Sequence, residues 1–205
     1  MTTAKYSFGA EGNRHVLLAA ADALAETQQQ FFESSNLDYS PEYFNKIPAL
    51  RQPLAVVAWG GFEIIATLIV FISSCFAKKI FDEIYERTLK RPIAAQLDIF
   101  FEKISATEGM LIEYQDIIYL EDINLAVVIS AIADKNNTKA IEEQVLQAHR
   151  IAYGYIERHG RKAPIHYHKI INGQATLEPQ LFDNIKEIKK SNVAKVKSKL
   201  IALKK

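Results

Sequence analysis

One stretch limits this chain more than any other. Residues 54–77, LAVVAWGGFEIIATLIVFISSCFA, hold a single side chain that is charged at neutral pH, Glu63. A run this apolar has to be buried, because each Å² taken out of water is worth about 25 cal/mol. A bilayer, a partner or the chain's own core can do it. As a helix at about 1.5 Å per residue, the run could cross about 30 Å of hydrocarbon. Its Leu, Ile, Val and Phe side chains favour insertion by roughly 4–7 kcal/mol, and Glu63 near the middle takes back about 2.5–3.5. Gly60, Gly61, Ser73 and Ser74 erode the remainder. The balance does not choose between lipid and protein.

The following residues favour continuing the helix. Phe76, Ile80, Phe81, Ile84, Tyr85 and Leu89 recur at helical spacing, with Lys78, Lys79, Asp82, Glu83, Glu86 and Arg87 between them. Pro92 then punctuates the pattern. The spacing predicts one long hydrophobic helix within about 54–91, apolar all round at first and one-sided later. Trp59, Phe62, Glu63, Ile69 and Phe76 are its candidate contact residues. Upstream, a short strand is expected at 5–8 and a helix after Asn13, with a proline-rich loop at 34–53.

The second half changes period. Residues 111–119 and 124–133 are rich in Ile, Val and Tyr and read as strands. A helix follows Asn137 and stops at Gly160. Residues 165–171 and 174–177 flank Asn172-Gly173, a strong local hairpin signal. Pro179 opens a final helix carrying Leu181, Ile185 and Ile188. The expected fold is α+β: a helical module at 1–104, then a ββαββα unit at 105–205 with an antiparallel sheet and helices on one face.

Histidines carry the only hint of site chemistry. The hairpin pairs Ile171 with Gln174 and Ile170 with Ala175, and sets His168 opposite Leu177. Alternation puts His166, His168, Ile170, Ala175 and Leu177 on one face, toward the helices, where His149 or Glu143 can approach. His166 and His168 at i, i+2 are candidate metal ligands, although no spacing supplies a third. The competing account is a pair of hydrogen-bonded core histidines. Tyr167, Lys169, Gln174, Thr176 and Glu178 are expected on an outer face. Glu113, Asp116, Glu121 and Asp122 could hold a divalent ion or a basic partner, or simply solvate a strand edge.

Charge is uneven. Between positions 184 and 205 eight lysines oppose one glutamate, so the rest of this +1 chain is acidic. Lys189, Lys190 and Lys197 are candidate contacts for an acidic partner or an anionic surface. The lysines lack interleaved arginines and aromatics, which argues against nucleic acid. No P-loop, GxSxG elbow or dinucleotide fingerprint occurs, so no catalytic residue and no cofactor is assigned. Cys75 stands alone and excludes an intrachain disulfide. No signal-peptide stretch is read at the N-terminus, and a cytoplasmic setting or the inner face of a membrane is expected.

The layout resembles the non-enzymatic accessory components of bacterial conflict systems. That layout is a short strand, a helix, a hydrophobic helix containing Trp59-Gly60-Gly61-Phe62, and a small α+β domain. The resemblance implies an adaptor or immunity-type role, coupling effectors or toxins to partners. Two function classes stay open. One is an interaction protein that docks through its hydrophobic helix to a partner, a second copy or a membrane. The other is a small histidine- or metal-dependent enzyme built on the 165–177 hairpin.

Overall fold

The structure, a computed structural model, describes residues 5–12, 14–34, 38–39, 42–50, 64–74, 92–106 and 110–191. Its elements in chain order are β1 (Lys5–Glu11), α1 (Arg14–Ser34), β2 (Asp38–Tyr39), α2 (Tyr43–Lys46) and β3 (Ile64–Ser74). Then come α3 (Ile93–Lys103), β4 (Leu111–Leu120), β5 (Leu125–Ala133), α4 (Thr138–His159), β6 (Ile165–Ile171), β7 (Gln174–Ala175) and β8 (Gln180–Phe182). Residues 185–191 are helical.

All eight strands form one mixed sheet in the order β2-β1-β3-β4-β5-β6-β7, with β8 also on β6. Strands β3 and β4 run parallel, as do β5 and β6, while β4 and β5 form an antiparallel hairpin. The α+β class therefore holds, and the finer layout does not. The sheet of the second half is not purely antiparallel. It also continues past position 104, because β3 is hydrogen-bonded to β4.

The largest correction concerns the apolar run. Residues 64–74 are not helical; they form β3, between β1 and β4 in the sheet. Leu68 and Val70 point into one apolar cluster, and Ile69 and Phe71 into another. A strand buried on both faces loses the alternation that marks a strand. Its unbroken apolarity then matches a buried helix equally well. Residue type gave the better signal, since Ile64, Ile65, Thr67, Ile69, Val70 and Ile72 are all β-branched. Among the described residues no helix is long and apolar enough to cross a membrane. Trp59, Phe62, Glu63, Cys75, Phe76 and Lys197 lie outside the described residues.

Helices cover both faces, not one. On the first face α1, α3 and α4 bury Val16, Ala20, Leu97, Phe100, Ile141 and Val145 against Tyr114, Ile118, Val127 and Ile129. On the second, Ile47, Leu50, Ile185 and Ile188 cover Ile69, Phe71, Ile117, Val128 and Tyr167. Tyr167 is thus core, not outer surface.

The Asn172-Gly173 turn forms as the sequence predicts. Both residues have positive φ, and the ladder pairs Ile170 with Ala175 and Ile171 with Gln174. Beyond Thr176 the expectation fails. The returning strand slips by two residues, and β8 resumes with Tyr167 opposite Gln180 and Ile165 opposite Phe182. Leu177 is extruded into solvent rather than set against His168. Pro179 precedes a strand, and the helix begins only at 185. A proline tolerates an edge position because its missing N–H is not needed there.

Candidate functional site

Buried polar side chains gather on both faces of β4. Its neighbours set the rows. Asp116 pairs with Val70 on β3 and Ile129 on β5, and Ile129 pairs with His168 on β6. Asp116 and His168 therefore stand on the face covered by α1, α3 and α4, with one strand between them. His149 descends from α4 over that gap, with Nε2 3.6 Å from Asp116 Oδ1. His166 lies one row along, opposite Val127. Asp116, His149, His166 and His168 are all buried. The alternation that aimed His166 and His168 toward the helices, and the approach of His149, are both found.

Each strand histidine is held by one backbone group. The Lys162 N–H donates to His166 Nε2 at 3.1 Å, and His168 Nδ1 lies 2.8 Å from the Thr176 carbonyl. A carbonyl only accepts, so His168 carries its proton on Nδ1 and Nε2 is left as a lone pair. Among the described residues, His166 Nδ1 and His168 Nε2 have no hydrogen-bond partner. The Tyr155 ring meets His166 edge-on at 5.6 Å. Burial, with the charges of His168 and Arg161, pushes the His166 pKa down to about 4. Burial also lowers His168, partly offset by the Thr176 carbonyl. Both rings are held neutral at ordinary pH.

The side chains of this cluster are 0–1 % exposed. The cavity beside His149 measures about 10 Å³ and is lined by Ile118, Leu120, Val127, Ala152, Tyr153 and Ile156. That is room for one water. No three His, Cys, Asp or Glu side chains stand together as a metal ligand set among the described residues. Spacing on β6 puts His166 and His168 on one face, and no third ligand joins them among the described residues.

The acidic stretch around the first hairpin is dispersed. Glu113 and Asp116 lie inside a central strand on opposite faces, because successive residues of a strand alternate. Glu121, in the 3-10 turn at Glu121–Ile123, accepts hydrogen bonds from Tyr43 at 2.7 Å and from Ser73. Burial raises the Glu121 pKa, but those bonds and Lys5 outweigh it and the net shift is downward. Tyr43 is pushed up to about 12, by burial first and then by Glu121. The Lys5 ammonium sits 4.0 Å from the Tyr43 ring centre. This cluster ties α2 to the sheet. Removing the hydroxyl with Tyr43→Phe is expected to cost about 1 kcal/mol, because the bond to Glu121 is exposed to water and worth less than a buried bond to a charged group. Urea denaturation measures it, and a loss below about 0.5 kcal/mol would place the hydroxyl in water.

Sequence reasoning missed a polar row on the second face. Glu11 pairs with Thr67, and Thr67 with Glu113. Gln115 and Ser130 form the adjacent pair, and the Ser130 hydroxyl donates to Glu113 Oε1 at 2.7 Å. The signal available was a polar residue every second position, Glu113 and Gln115, in a strongly β-prone run. Lys189 forms an ion pair with Glu11, so this lysine meets an acidic group of its own chain. Lys190 lies in the helical segment and is exposed. No family model, curated protein or solved structure matches the chain.

Proposed function

We propose that this chain is a non-enzymatic interaction protein that pairs with a second copy of itself along the β6–β8 edge. The carrying observation is the apolar surface at that edge. Leu177 is 72 % exposed, Ile171 52 % and Leu181 46 %. Strand β8 is only three residues long, and edge backbone groups invite pairing with another strand. Ile171 and Leu181 stand on opposite faces of the sheet, so the open backbone of β8, flanked by apolar side chains, is what suits an isologous contact between two copies. The burial of Asp116, His149, His166 and His168 supports the same reading, since side chains 0–1 % exposed are not presented to a substrate. The docking surface differs from the one read in the sequence, because Ile69 is buried in the sheet. The conflict-system resemblance rests on a layout whose hydrophobic helix is a strand over 64–74, and the proposal does not draw on it.

Light scattering across a concentration range tests this. The native chain is expected to give twice the chain mass. Leu177→Asp with Leu181→Asp should weaken pairing about thirtyfold, on the order of 2 kcal/mol, without changing the circular dichroism spectrum. A native chain that stays monomeric at every concentration refutes the proposal.

A further inference from the structure

We propose that the polar row on the second face binds a hard divalent cation of the Mg²⁺ or Mn²⁺ type, between Glu11 of β1, Thr67 of β3 and Glu113 of β4. The three residues are consecutive partners in register, so their side chains rise side by side from one face. Glu113 is 5 % exposed, and among the described residues no cation pairs with it. Among the described residues its hydrogen bond comes from the neutral Ser130 hydroxyl. A buried carboxylate without a counter-charge is costly, and an ion removes that cost.

Thr67 supplies the second, independent observation. Its side chain is 3 % exposed, and its Oγ1 has no hydrogen-bond partner among the described residues. Buried hydroxyls are nearly always paired, so this oxygen points to a ligand. Glu11 lies two strand spacings from Glu113, about 9.5 Å, within the span of two glutamate side chains closing on one ion. Gln115 adds an amide oxygen on the same face. Two carboxylates with neutral oxygens and water are what Mg²⁺ and Mn²⁺ accept, whereas Zn²⁺ and Cu²⁺ favour nitrogen or sulfur. The Lys189 ammonium on Glu11 is already a cation drawn to this row, and it competes for the second carboxylate.

The loss of the free Mn²⁺ electron paramagnetic resonance signal on adding the full chain reads the binding directly. One Mn²⁺ per chain is expected, displaced by Mg²⁺. Glu113→Gln and Thr67→Val keep shape and remove ligands; Glu113→Gln should weaken uptake by more than about tenfold, and Thr67→Val by less. Lys189→Met should tighten it. If Glu113→Gln does not fold, Thr67→Val decides. Absence of uptake by the folded native chain at millimolar Mn²⁺ overturns the proposal. So does uptake unchanged in the folded variants, or uptake that survives in them and vanishes in His168→Ala, which would put the ion on the other face.

Discussion

Truncating Phe71 to alanine is expected to remove about 3–5 kcal/mol of stability. Phe71 is 1 % exposed, near the middle of β3, flanked in register by Ser7 and Ile117. Phe44 meets its ring edge-on at 5.3 Å and Tyr43 lies 6.3 Å away. The variant loses the transfer energy of a phenyl ring and leaves a cavity that a sheet covered on both faces cannot close. Domains of this kind are stable by about 5–15 kcal/mol, so the loss is a large share of the total. Urea denaturation gives the number. Leu18→Ala is the control: Leu18 is 57 % exposed on α1, and its truncation should stay within about 0.5 kcal/mol. If 64–74 were instead a docking element, Phe71→Ala would alter association and leave the denaturation midpoint in place.

Acidification should cost the folded chain about 3 kcal/mol through His166 alone. Its pKa is about 4 in the fold, against an ordinary 6.5. A depressed histidine pKa means that the unfolded chain binds the proton more tightly. The contribution is therefore whole above pH 6.5 and falls away as pH drops from 6.5 toward 4. Lowering of His168 adds a loss of the same sign. Glu121, whose pKa is also lowered, adds its own loss only below its ordinary value near 4.5. The interval from pH 6.5 to 4.5 thus belongs to the histidines. Thermal melts through that interval should drop steeply for the native chain and more gently for His166→Gln. A melting temperature flat from pH 7 to 4.5 would show the rings in contact with water.

What the sequence made legible was local. The Asn172-Gly173 turn, the Gly160 stop and the inward face of His166 and His168 follow from short-range rules of backbone and alternation. What it hid depends on partners distant in the chain. Residues 64–74 look helical because nothing within the run says that β1 and β4 will flank it. Glu113 and Asp116 look like a wet edge because β4's central place is set by β3 and β5. Leu177 slips out of register because β8 must meet Ile165–Tyr167, a demand that the turn does not encode. The Glu11–Thr67–Glu113 row joins three strands, so the alternation of Glu113 and Gln115 in β4 hints at a polar face but cannot name its partners on β1 and β3.

The strand order also implies a sequence of events in time. Strands β4 and β5 are joined only by the turn at Glu121–Ile123 and Asn124, so this pair can close early. Pairing β3 with β4 has to wait for the chain that includes α3, and β6 reaches β5 only across α4. Closing a longer loop loses more chain entropy before any contact rewards it. Loop lengths alone therefore favour a sheet that grows outward from its middle. Until β3 and β6 have docked, both open sides of the β4–β5 pair are unpaired strand edges, the kind of surface on which mispairing starts.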